Sequence, residues 1–132
     1  MTLTLSGVSL IVRDYDEALD YYVRVLGFSL VEDTDLGNGK RWVTVSPSSS
    51  APAAKFILAK AKNEAERSLI GMQHGGRVGF FLETTDFGAT YLAFQEKGVT
   101  FCEEPRQEKY ATVVIFQDLY GNKFDLICRR KV

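Results

Sequence analysis

The strongest constraint on this chain is that its 132 residues spell one pattern twice. In the first half, Val8, Leu10 and Val12 alternate with Ser9, Ile11 and Arg13, as on a strand with one apolar face. Asp14 then opens a helix, with Glu17 three residues on in capping-box position. Tyr15, Ala18, Leu19, Tyr22 and Leu26 follow at helical spacing, up to a glycine stop at Gly27. Strands are expected at 28–33, 41–46 and 55–59, with an Asn38-Gly39 turn between the first two. In the second half, Val78, Phe80 and Leu82 alternate with Gly79, Phe81 and Glu83. Asp86 caps a helix carrying Phe87, Tyr91 and Phe94, and Gly98 ends it. Strands are expected at 99–103, 111–117 and 123–128, with a last turn at Tyr120-Gly121-Asn122. Aligning Asp14 with Asp86 leaves Gly27 and Gly98 one residue out of step. Two copies of β-α-β-β-β predict an α+β fold. The whole chain, 1–132, then forms one domain: module one about 1–60, a polar connector about 61–76, module two about 77–132.

Composition narrows the function classes. Sixteen basic against 17 acidic side chains leave a net charge of −1, so no basic face is expected for nucleic acid. A β-α-β opening also suits a ferredoxin-like or RNA-recognition fold. Gly76–Phe81 echoes the aromatic RNA-binding strand only in part, however, and lies near the acidic Glu83 and Asp86. No apolar run approaches the roughly 20 residues needed to span a bilayer, so no membrane partner is expected. The N-terminus lacks a basic start and a small-residue cleavage site. Cys102 and Cys128 follow no metal or redox spacing, which suits two reduced thiols in a cytoplasmic protein. His74 is the lone histidine and lies in the connector, where a solvated loop residue is expected; one chain cannot build a two-histidine metal site from it.

Two runs carry a more specific signal. One is Val12–Tyr22 followed by Leu26-Gly27-Phe28; the other is Lys97-Gly98-Val99 with Phe116–Leu126, which contains Asp118, Gly121, Asn122 and Asp125. With these the chain resembles the vicinal oxygen chelate superfamily, which includes glyoxalase I, fosfomycin- and bleomycin-resistance proteins and extradiol dioxygenases. The resemblance covers nearly the whole sequence. It implies two βαβββ modules forming an open concave mixed sheet around a ligand cavity, and a homodimer. In metal-dependent members it implies one ligand on each opening strand, seven residues before the helix-capping Asp, and a carboxylate on each last strand. Those positions fall here on Gly7, Gly79, Ile57 and Asp125, of which only Asp125 carries a donor. No metal or other cofactor is therefore expected, a divalent metal on a reduced or relocated ligand set being the alternative.

Strand alternation nominates cavity residues independently. If Val8, Leu10, Val12, Val78, Phe80, Leu82, Phe124, Leu126 and Cys128 pack under the helices, the opposite faces carry Ser9, Phe81, Glu83 and Asp125. Glu83 and Asp125 are candidate catalytic carboxylates or anchors for a cationic ligand, because desolvation turns a carboxylate into a useful base. The plain alternative is that each simply pairs with a nearby Lys or Arg, such as Lys123 or Arg106. Ser9, Trp42, Phe81, Arg106, Tyr110 and Phe116 are the candidate ligand-binding residues, the aromatics by stacking and Arg106 and Tyr110 from a charged loop. The expected function is small-molecule binding in the cavity without the usual metal. The alternatives are a lyase, isomerase or dioxygenase with a divalent metal, and a metal-free acid–base enzyme using Glu83 or Asp125.

Overall fold

A computed structural model describes residues 1–49 and 54–130; residues 50–53, within the Ser- and Pro-rich run 46–54 whose composition marks a loop, lie outside the described residues. The chain divides into two compact units, Met1–Ile70 and Gly71–Val132. The first is built as β-α-β-β-β, the second follows the same order with one further short strand, and the fold is α+β with two open sheets of four and five strands.

In the first unit the strands are β1 (Gly7–Val12), β2 (Ser29–Gly37), β3 (Lys40–Ser46) and β4 (Lys55–Lys60), in the order β1-β4-β3-β2. The opening strand runs parallel to the last, and the other neighbours are antiparallel. Helix α1 (Tyr15–Asp20) starts at Asp14, whose carboxylate accepts the Glu17 N–H at 2.8 Å. The Glu17 carboxylate itself receives the Arg13 guanidinium at 2.6 and 3.1 Å.

The helix does not stay α. From Tyr21 to Val25 it widens into a π turn, and the Leu26 N–H reaches back five residues to the Tyr21 carbonyl at 3.1 Å. Gly27 follows at φ +77°, the left-handed stop that glycine adopts without Cβ strain. The extra residue in this turn accounts for the one-residue offset between the two halves. Tyr22 is fully buried and edge-on to Phe28 and Phe56, and Val43, Val45 and Leu58 are buried in the same unit's core. The hairpin β2–β3 turns on Asn38 at φ +57° and Gly39 at φ +78°, the pair of left-handed residues a two-residue hairpin loop demands. β2 runs four residues beyond the expected end at 33, because the Asn-Gly turn lets pairing continue to Gly37. A short α2 (Glu64–Arg67), capped by Asn63, occupies part of what the sequence marks only as connector.

In the second unit β5 (Val78–Glu83), α3 (Phe87–Glu96), β6 (Thr100–Phe101), β7 (Arg106–Gln107), β8 (Ala111–Gln117) and β9 (Lys123–Arg129) repeat the plan. The sheet order is β5-β9-β8-β6, with β7 also paired to β8. β5 again runs parallel to the last strand. Asp86 caps α3 by accepting the Ala89 N–H at 3.0 Å. Phe116 and Phe124 sit opposite each other on β8 and β9 and stack at 4.9 Å, with Phe94 of α3 edge-on to Phe116.

The motif around Asp118 is the frame of the β8–β9 turn. Buried Asp118 accepts the N–H groups of Tyr120 and Asn122 on Oδ1, both at 2.9 Å, and the Asn122 side-chain amide on Oδ2 at 2.9 Å. Gly71 lies against this turn: a Cβ there would fall 1.9 Å from the Tyr120 carbonyl oxygen.

Candidate ligand-binding site

In the first unit, register sets the face of β1 and β4 turned away from α1: Ser9 sits opposite Ile57, and Ile11 opposite Ala59. Thr44 of β3 pairs with Ile57, so Trp42, two residues earlier, shares that face. Trp42 is 40 % exposed. Ser9, Trp42, Ile57 and Ala59 line a cavity of about 570 Å³ at the end of the sheet where β3 begins and β4 finishes. Lys40, Lys60, Lys62 and Glu66 line it too. Two expected ligand-binding residues, Ser9 and Trp42, thus meet in one cavity. The three lysines and Ile57 were not singled out as ligand contacts, although Ile57 follows from β4 alternation and Lys40 from its place after the Asn-Gly turn.

The wall beside this cavity is held by Arg41. Its guanidinium bonds Asp33 of β2 at 2.8 and 3.1 Å and Asp16 of α1 at 2.9 Å, and lies 5.2 Å from the Tyr15 ring centre. The Arg41 N–H donates to the Tyr15 hydroxyl at 3.2 Å. These bonds hold the Asp33 carboxyl below the ordinary aspartate value and keep Arg41 charged.

In the second unit, Asp125 of β9 is flanked by Phe81 on β5 and Ile115 on β8. Its Oδ1 is buried without a hydrogen-bond partner. Burial pushes its pKa up, Arg106 pulls it down in part, and Glu103 pushes it up again. Glu103 was missed by sequence reasoning, yet it organises the loop. Its carboxylate accepts the Ile115 N–H at 3.0 Å and the Arg106 guanidinium at 3.0 Å. Arg106 also bonds Glu108, so the donor nominated for a ligand already has two partners within its own loop. Phe81 and Tyr110 are 63 % and 66 % exposed, available for stacking.

Two expectations are corrected. Glu83 is exposed and not buried in a cavity: it bonds Arg129 at 2.9 Å, the plain ion-pair reading with a different partner. Phe116 lines no surface, with 0 % exposure, because its register opposite Phe124 puts it on the α3 face. His74 is exposed as expected for a loop residue, but its ring packs on the sheet, edge-on to Phe80 at 4.8 Å and over Gly79.

Residues 4–126 match the family model described as Glyoxalase/Bleomycin resistance protein/Dioxygenase superfamily. The chain belongs to this superfamily. It is 44 % identical over 128 residues to an uncharacterized protein of Shewanella frigidimarina, covering 96 % of this chain and 94 % of that one. It superposes on the crystal structure of UcmS2 with TM-score 0.82 at 32 % identity, covering 96 % and 98 % of the two chains. TnmS3, an antibiotic binding protein from Streptomyces sp. CB03234, gives TM-score 0.76 at 26 % identity, with 98 % of each chain covered.

The glyoxalase-type metal positions do not fit a metal in this member. A side chain at Gly7 would start with its Cβ 2.8 Å from the Lys55 carbonyl oxygen, and one at Gly79 would start 2.3 Å from His74 Nδ1. Ile57 offers no donor. Among the described residues no three His, Cys, Asp or Glu side chains are placed to hold a metal ion. No helix of the described residues is long and apolar enough to cross a membrane.

Proposed function

We propose that this superfamily member binds a small molecule and holds it without the usual metal site. The observation that carries this reading is the first-unit cavity, where an exposed tryptophan shares its sheet face with the apolar side chains of Ile57 and Ala59. Such an arrangement takes a flat ring: stacking on an aromatic side chain is worth about 0.5–1.5 kcal/mol beyond the apolar area it buries. Ser9 supplies a hydroxyl at the same wall. The likeness to an antibiotic binding protein supports binding as the activity.

The test uses Trp42 itself, the chain's single tryptophan. Titrating flat aromatic compounds should change its emission saturably, at one site per chain and with no chemical change in the compound. An Ile57→Asp variant that folds normally should lose the response. Saturable binding that persists in Ile57→Asp would place the ligand elsewhere.

A second reading, acid–base chemistry, is favoured by one observation: the unpartnered, burial-raised carboxyl of Asp125 beside Phe81. Turnover of a bound compound that disappears in Asp125→Asn would favour it over binding alone. We infer also a homodimer, supported by the exposed apolar Leu5, Leu30 and Val31 gathered around a second cavity of about 490 Å³ in the first unit. Light scattering showing a monomer at micromolar concentration would overturn it.

A further inference from the structure

We infer that the compound taken by the first-unit cavity carries an acidic group, a carboxylate or phosphate on a flat apolar ring, with Lys40, Lys60 and Lys62 reading the charge. This rests on the reading of that cavity as the ligand site and goes beyond it by naming the ligand's class.

The argument is one of charge against neighbours. Three lysines line the cavity, and the carboxylate set among them is Glu66, which already accepts the Lys62 backbone N–H at 3.1 Å. The fourth cation of the lining, Arg41, is committed to Asp16 and Asp33. Among the described residues, no carboxylate lies within ion-pair distance of the Lys40, Lys60 or Lys62 ammonium groups. In a chain of net charge −1, with carboxylates outnumbering cations, this local excess does not follow from composition. The three lysines are exposed, so their long side chains can reach a bound molecule. The apolar part of the cavity lies on the sheet at Trp42, Ile57 and Ala59, while Lys40 begins β3 and Lys60 ends β4. A ligand seated on the tryptophan therefore meets the cations at the cavity's edge. An aromatic acid presents these two features in the same order, ring inward and charge outward. A cationic ring would meet three like charges at that edge.

The experiment compares 2-naphthoate and naphthyl phosphate with 2-naphthamide and 2-naphthylmethylamine, each titrated by Trp42 emission. Both acids should bind more tightly than the amide by about tenfold, and the amine most weakly. The advantage should shrink when ionic strength rises from about 0.01 to about 1 M. It should also shrink in the Lys60→Gln/Lys62→Gln double variant, whose exposed substitutions leave the fold in place. Equal binding of acids and amide would overturn the inference while leaving the cavity as the ligand site. Tighter binding of the amine would reverse its sign. If none of the four perturbs Trp42, the cavity reading itself fails, and the inference with it.

Discussion

Asp125 and Ile115 face each other across β9 and β8, and only the isoleucine's neighbourhood is satisfied. The Ile115 N–H goes to Glu103, which also takes Arg106, so Arg106 reaches Asp125 as a field and not as a hydrogen bond. The aspartate is left with one buried oxygen unpartnered beside Phe81. A loop that appears from sequence as a solvated charge run thus spends its cation on its own carboxylates.

The pH dependence of stability follows. Because burial raises the folded pKa of Asp125, the native state binds this proton more readily than the unfolded chain does. The ionised group therefore destabilises the fold at neutral pH, and the penalty fades as pH falls through the raised value toward the ordinary 3.8. Asp125→Asn should melt higher than wild type at pH 7, with the gap closing in acid. A lower melting temperature at pH 7 would show that the carboxylate has a stabilising partner.

Arg41 gives the opposite sign. Asp33 is held below its ordinary value, so its contribution is present above that value and lost as pH falls through the lowered one. Arg41→Gln removes bonds to two carboxylates and should cost about 1–2 kcal/mol at pH 7. Urea midpoints of the two proteins should converge in strong acid. A constant difference across pH would mean that packing on Tyr15 carries the effect.

Asp118→Ala should be the more damaging change. It frees two backbone N–H groups and the Asn122 amide in a buried turn, at about 2–4 kcal/mol. Calorimetry on the folded variant checks this, and a loss below about 0.5 kcal/mol would mean that the turn closes without its aspartate.

Gly7→Ala asks whether the opening strand accepts any side chain. Its Cβ would lie 2.8 Å from a backbone oxygen, a contact that moves β4 or costs about 1–3 kcal/mol. Wild-type stability in this variant would show that β1 has room, and with it room for a metal-binding residue.

The repeat, both helix caps, the Asn38-Gly39 turn and the alternation on β1, β5 and β9 were legible because each is a local pattern. The places where reading failed are set by partners distant in sequence. Phe116 looks like any aromatic near a cavity until pairing with Phe124 fixes its face. The two-residue β7 hides in a charged stretch because its strand character comes from β8. Glu83 chose Arg129, 46 residues away, over the cations named for the carboxylates from sequence. Trp42 and Ser9 were legible as cavity residues, whereas the lysines around them look like ordinary solvated charge in one dimension.

The π turn at Tyr21–Val25 sets a rule for recombining the halves. Replacing residues 14–27 with residues 86–98 would delete one position and straighten the helix, moving everything downstream of it by a residue's rise. The two halves are interchangeable as plans but not as parts: a chimera must carry the inserted residue with it, or Phe28 loses its seat against Tyr22.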